Sequence, residues 1–332
     1  MYSHGAFSSQ QVMLGGRNSV CSFASVPEST FDASSKPIWS FSTGTPITDM
    51  VSDVNWTFVG SVDKPIKLIS SSSGEHVASY HAYSHVEEIT HPTRLALKES
   101  LLVGGFDSYV KAWDVRRPGR QAHDIRIGGR NTRGSMSGLV GALCLLEGNT
   151  VLAGTYNKHL GIVDLRSKLT SVSPSAVIPR AGGFNQLVSL GGSLVASGHR
   201  NDDKFRFWDL RSLTEPIGEV SRQCQGNQCL KMETDGLGSV VYGDVNGNVC
   251  LVSSKDLQAS KCVKMANYAI PFVACDPSRQ GLYLFGVGSR SFDHVDSVED
   301  SDSDQSEEKY SMQSSGPRTS YATLKFLRFT DA

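Results

Sequence analysis

One phrase returns seven times along the chain, and its spacing limits what this sequence can fold into more than any other feature. Small or apolar residues lead to a glycine, a short polar loop follows, and an alternating strand closes near Trp-Asp or a substitute for it. The copies are LGGRNSVCSFA from Leu14, VGSVDKPIKLIS from Val59, VGGFDSYVKAWDVR from Val103, AGTYNKHLGIVDLR from Ala153, ASGHRNDDKFRFWDLR from Ala196, YGDVNGNVCLVSS from Tyr242 and LFGVGSR from Leu284. Their glycines (Gly15, Gly60, Gly104, Gly154, Gly198, Gly243, Gly286) stand 45, 44, 50, 44, 45 and 43 residues apart. A period in that range, with Trp113-Asp114 and Trp208-Asp209 closing strands, marks a propeller blade of four antiparallel strands. The sequence therefore predicts an all-β, seven-bladed WD-repeat β-propeller, a single domain over residues 1–332.

Within each phrase the glycine ends the second strand and the polar loop turns into the third, where apolar residues alternate, as in Phe205, Phe207 and Leu210. First strands precede them at 142–146, 186–190 and 270–275. Two copies depart from the pattern. The first is expected to be truncated, since about a dozen residues precede its second strand; either residues 1–8 supply a minimal closure of the ring or the natural protein begins earlier. The last is interrupted by an acidic, serine-rich insertion over 291–318, expected to be solvated and disordered, and its third strand resumes at 322–329. Ser297 and Ser301, each with an acid three residues on, are candidate phosphorylation sites.

Charge needs to be read in parts. The chain has 32 basic and 33 acidic residues, but residues 291–310 hold eight acids against Lys309, which leaves the remainder at net +6. Phosphate loops, GxSxG elbows, HExxH and paired CxxC motifs are absent, so catalysis and a cofactor are not expected. His81, His85 and His91 beside Glu87 and Glu88 are the nearest approach to a metal set, but a zinc tetrahedron needs ligands this spacing does not converge. Seven dispersed cysteines point to a reducing compartment and buried thiols, Cys224 and Cys229 included. No apolar run reaches the roughly 18 residues of a helical membrane span.

In a propeller, the loops between second and third strands and the loops between blades emerge on one face. The first kind contributes Arg17, Lys64, Lys158, His159, Arg200 and Lys204; the second contributes His81, Tyr83, His85, Arg126, Arg130, Arg133, Arg180 with Phe184, and Arg222. Arginine forks hold phosphates and stack on bases, and Tyr83 and Phe184 are suited to an unstacked base. An RNA-binding face is the sharper reading. The plainer one is solvated loop tips, diluted by Asp63, Asp107, Asp202, Asp203 and Asp244.

The run DKPIKLISSSSGEHVASYHAYSHVEE and the block RPGR at 117–120 resemble the telomerase Cajal body protein family, as does SGHRNDDKFRFWDLR later in the chain. The matching positions include Pro65, Ile66, Gly74, Ala82, Tyr83, His85, Glu88, Gly105, Phe106, Arg117, Pro118, Gly119, Arg120, Arg200, Asp202, Trp208, Asp209 and Arg211. The resemblance implies a non-enzymatic adaptor that recognises a CAB-box-type loop in H/ACA-type small Cajal body RNA or telomerase RNA. Core H/ACA proteins and telomerase subunits would be partners, in nuclear Cajal bodies. It adds Arg117, Arg120 and Arg211 to the candidate RNA contacts, although Arg117 and Arg120 equally suit fixing the turn after the third blade's Trp-Asp strand, and Arg211 an ion pair with an acid of its own blade. The alternative from another class is a scaffold whose face holds a peptide.

Overall fold

The computed structural model describes residues 4–8, 11–16, 18–24, 36–128, 134–167, 172–178, 181–223, 230–234, 238–257, 259–275, 282–288 and 322–328. No helix occurs among them. The first sheet comprises β1 (His4–Ser8), β2 (Gln11–Gly15), β3 (Ser19–Ala24) and β4 (Trp39–Ser42); the second begins with β5 (Ile47–Ser52), β6 (Trp56–Ser61), β7 (Ile66–Ser70) and β8 (His76–His81). The third is built from β9 (Arg94–Lys98), β10 (Leu101–Gly105), β11 (Tyr109–Asp114) and β13 (His123–Arg126). Between β11 and β13 the short β12 (Gly119–Arg120) leaves its own sheet and pairs parallel with β8, giving the second sheet a fifth strand. The fourth sheet holds β14 (Val140–Leu145), β15 (Thr150–Thr155), β16 (His159–Asp164) and β17 (Ala176–Val177); the fifth, β18 (Phe184–Gly191), β19 (Leu194–His199), β20 (Lys204–Asp209) and β21 (Gly218–Ser221). The sixth holds β22 (Met232–Thr234), β23 (Ser239–Gly243), β24 (Asn248–Ser253) and β25 (Ala259–Lys264), and the last sheet β26 (Phe272–Cys275), β27 (Leu282–Gly288) and β28 (Ala322–Arg328).

Each sheet packs its first strand against the first strand of the next, and β26 packs against β1, which closes the ring. This corrects the expected seven-bladed WD-repeat propeller with a truncated first blade. Among the described residues the complete blades number six, and the first is one of them; the final sheet has three strands. Residues 4–8 pair with β2, His4 opposite Gly15, and so complete the first blade instead of serving the last. The insertion over 291–318, with Ser297 and Ser301, lies outside the described residues.

The glycine period has a steric cause. A Cβ at Gly60 would stand 2.7 Å from the Pro92 ring, one at Gly105 2.6 Å from Val140, one at Gly154 2.6 Å from Phe184, and one at Gly243 2.4 Å from Ile270. At these four positions a second strand needs a bare backbone where the chain entering the next blade packs on it, whereas Gly104, Gly198 and Gly286 face side chains of their own blades, Phe106, Asn185 and Phe272. Between the blades lie the apolar side chains, with Trp113 and Trp208 both buried. Trp208 Nε1 donates to Ser197 Oγ at 2.8 Å, Ser197 Oγ is 2.8 Å from His199 Nε2, and His199 Nδ1 faces the Gly182 carbonyl at 3.2 Å. Burial pushes His199 down to about 4, so the ring is neutral, with its proton on the nitrogen facing that carbonyl.

The expectation of thiols is corrected for two cysteines. Cys250 and Cys262 face each other across β24 and β25 and form a disulfide. Cys21 and Cys144 are free, and burial pushes the Cys144 thiol up to about 11. Cys224 and Cys229 lie outside the described residues.

Candidate nucleic-acid interface

Loops distant in sequence meet at the end of the ring where second strands turn into third strands. The Ser108 amide donates to the Gly138 carbonyl at 3.1 Å, Arg200 to Gly183 at 2.8 Å, and Val245 to Gln223 at 3.2 Å. His91 pairs with Asp63 at 3.1 Å across the same kind of seam. His85 is exposed, and no group of three or more metal-ligating side chains exists among the described residues.

The two most specific sequence blocks, AYSHVEE and RPGR, come together at the seam between the second and third sheets. The pairing of β12 with β8 sets Arg120 opposite His81. The Arg120 guanidinium then lies 5.0 Å over the Tyr83 ring, whose other neighbour is the His81 ring, stacked at 5.9 Å and 11°. Arg120 also grips Glu87 through two bonds of 2.9 and 2.8 Å, which lowers the Glu87 carboxyl. Glu87 has left-handed backbone, φ 61°, so the loop is shaped to present it. Gln121 fixes the Tyr83 backbone from both sides, accepting from its amide at 3.0 Å and donating to its carbonyl at 3.1 Å. The buried Lys111 ammonium donates to that carbonyl at 2.9 Å and to Asp124 at 2.7 Å. Sequence reasoning found Tyr83 and Arg120 but not Glu87, Gln121 or Lys111 as the parts that hold them.

A second arginine and tyrosine meet on the loop face between the fourth and fifth sheets. The Arg200 guanidinium lies 4.5 Å over the ring of Tyr156, and the Tyr156 amide donates to Leu139 at 2.8 Å. Lys158 follows with left-handed backbone, φ 71°. Tyr156 was missed, although the sorting by loop that found Lys158 applies to it equally.

Other predicted residues take other places. Phe184 is fully buried, 4.5 Å from the His199 ring and 6.4 Å from Trp208, so its expected role in base stacking is corrected: it is core. Arg222, named among the surface loops, is also buried, its guanidinium donating to the carbonyls of Leu230 and His199 at 3.0 and 3.5 Å. Lys204 pairs with Glu219 at 2.9 Å, and beneath it the buried Arg206 holds Asp202 at 2.7 Å and Glu219 at 2.8 Å. Arg211 pairs with Asp209 in the fork geometry that holds the aspartate well below the carboxylate range. Arg117 is exposed after β11. Both residues follow third strands, at the opposite end from the loops carrying Lys158 and Arg200, and are not gathered with them. Arg130, Arg133 and Arg180 lie outside the described residues.

No family model matches the chain. A computationally designed protein, Ika8, shares the fold at 15% identity, with a TM-score of 0.58 over 86% of this chain and 80% of that one. A fission-yeast (Schizosaccharomyces pombe) protein, "Guanine nucleotide-binding protein negative regulator 1", is 24% identical over 268 residues, 76% of this chain and 64% of that protein. "Telomerase Cajal body protein 1" of cattle (Bos taurus) is 29% identical over 203 residues, 59% of this chain and 36% of that protein. The chain thus spans little more than a third of that relative's length. The chain is similar to the Telomerase Cajal body protein 1 sequences, and no metal-holding cluster occurs among the described residues.

Proposed function

We propose that this chain is an RNA-binding adaptor that recognises a CAB-box-type loop in H/ACA small Cajal body RNA or telomerase RNA and directs the particle to nuclear Cajal bodies. The observation that carries the reading is the likeness to Telomerase Cajal body protein 1. The meeting of AYSHVEE with RPGR supports it, because the stretches that carry the resemblance build one local structure around Tyr83 and Arg120. Tyr83, His85, Arg120, Lys158, Arg200 and Lys204 are the described residues assigned to RNA, joined by Arg130, Arg133 and Arg180. Arg117 and Arg211 are assigned to RNA on the resemblance alone, on the far side of their sheets. Core H/ACA proteins and telomerase subunits are the protein partners of this reading.

Crosslinking the protein to RNA in cells, then sequencing what is trapped, tests it. Enrichment of H/ACA-type RNAs at a shared terminal loop is expected. The similarity to a named regulator of a guanine nucleotide-binding protein favours a second reading, a scaffold that holds a peptide. Recovery of folded protein with no RNA above background would replace the first reading by the second. Salt separates them as well: phosphate-driven binding falls linearly in log–log terms, and an apolar peptide groove does not follow that law.

A further inference from the structure

The loop that carries Glu87 holds its own shape. The Ser84 amide donates to the Glu88 carbonyl at 2.8 Å, and the Glu87 amide to the Ser84 carbonyl at 3.1 Å. The Ser84 hydroxyl accepts from the amides of Val86 and Glu88, at 3.2 Å each, and Tyr83 bridges to Ile89 at the base of the loop. Arg120 is placed just as independently, because its backbone pairs with His81 in the second sheet. None of these bonds involves the fork between Arg120 and Glu87, whose side chains are 56% and 64% exposed. An exposed pair of this kind adds little to stability, since water and salt make up for most of its loss. At φ 61° a glycine would take the backbone without strain, so what Glu87 supplies at this position is its carboxylate.

That carboxylate fills the guanidinium as a phosphate would. Two oxygens of one anion accept from Nη1 and Nη2 at 2.9 and 2.8 Å, the parallel arrangement that carboxylates and phosphates share. An anion from outside that takes the same two donors must displace Glu87, and the displacement leaves the loop, the β12 pairing and the neighbouring Tyr83 ring in place. We propose that the Arg120 fork is a phosphate site of the RNA interface, and that Glu87 is its built-in occupant, exchanged for one backbone phosphate when RNA binds. This assignment rests on the RNA-binding reading above and goes beyond it by giving Arg120 a ligand group and an internal competitor. The competitor lowers the affinity for RNA by the strength of the internal pair.

The test uses fluorescence anisotropy on the full chain with a stem-loop RNA carrying a CAB-box-type loop. Glu87→Gln frees the fork. Glu88→Gln, one residue on and also exposed, removes the same charge without removing a partner of Arg120. Glu87→Gln is expected to bind about fivefold tighter than the parent, the measure of an exposed ion pair, and Glu88→Gln to stay within about twofold of the parent. In an Arg120→Gln background the gain is expected to vanish. Replacing the loop phosphates one at a time by uncharged methylphosphonates is expected to find one position that weakens binding by the parent and by Glu87→Gln but not by Arg120→Gln. Equal affinities of Glu87→Gln and Glu88→Gln, or weaker binding by Glu87→Gln than by the parent, overturn the exchange while leaving the RNA reading standing. So do a gain that survives Arg120→Gln and the absence of any such phosphate position. If the folded parent and Glu87→Gln both fail to bind the RNA at low salt, the RNA reading itself fails and the exchange with it.

Discussion

His199 shows how much a single buried side chain decides here. Burial above all, and then the positive charge of Arg206 and Arg222 nearby, make the folded state resist a second proton on its ring, whose nitrogens face Ser197 and the Gly182 carbonyl. In the unfolded chain a histidine titrates near its ordinary 6.5, whereas the folded value is about 4. Between these values the unfolded state binds the extra proton, so stability is complete above about pH 6.5 and falls as the pH drops toward 4, by up to about 1.4 kcal/mol per pH unit. Urea midpoints at pH 7.5 and pH 5 should therefore drop more in the parent than in His199→Gln, where this titration is gone. Parallel pH profiles for the two proteins would refute the assignment. The same geometry explains why Phe184 belongs to the core: it packs on this ring and on Trp208, and no base can reach it.

At the level of elements, β12 is the piece that sequence could not place. Two residues carry no periodicity, and RPGR reads as an ordinary turn after a Trp-Asp strand; only the register with Tyr80 and His81 reveals that it extends the neighbouring sheet. Its hold on the Tyr83 loop runs through Gln121, which bonds both the amide and the carbonyl of Tyr83 and shares that carbonyl with Lys111. Gln121→Ala should cost about 1–2 kcal/mol in a denaturant titration and speed amide exchange over 80–90 and 119–121, leaving the other sheets protected. Uniformly unchanged exchange would mean that Arg120 and Glu87 suffice to hold the seam. Other elements were plain in the sequence for a physical reason. The second-strand glycines recur because a Cβ there would meet either the chain entering the next blade, as at Gly60, Gly154 and Gly243, or a side chain of the same blade, as at Gly286, and the third strands alternate because one face packs on the next sheet. What stayed hidden were contacts across seams, such as Tyr83 with Arg120 or Tyr156 with Arg200, where the partners lie 37 and 44 residues apart and no local pattern links them. The pairing of residues 4–8 was likewise open, since a strand in that place can complete either the first sheet or the last.

On the scale of the whole ring, sheets that touch only their neighbours resemble a chain of repeats, whose stability is a sum of local terms. Contacts between sheets that are not neighbours break that pattern: the Arg94 guanidinium on β9 donates to the Asn185 carbonyl on β18 at 3.3 Å, and an ion pair spans a wider gap. Asp49 on β5 accepts from the Leu95 amide at 2.9 Å with one carboxylate oxygen, while the other lies 3.3 Å from the Lys231 ammonium, at the entry to β22. The sheets of β5 and β22 are not neighbours, so this ion pair reaches across the middle of the ring. Asp49 is almost wholly buried, whereas the Lys231 side chain is about a quarter exposed. Breaking a buried pair from one side strands a charge, at a cost of about 3–5 kcal/mol, and partial access to water places this pair at the lower end. Asp49→Asn retains an acceptor for Leu95 and removes the charge; Lys231→Met retains the stem and removes the ammonium. Each single change should lower stability, and the double variant should lose less than the two losses added, with a coupling of about 1–3 kcal/mol in equilibrium unfolding. Additive losses would mean that the pair is incidental to the hold of the ring. A measurable coupling would mean that loosening one side of the ring is felt on the other, so unfolding should remain a single cooperative transition even though, among the described residues, the last sheet has three strands.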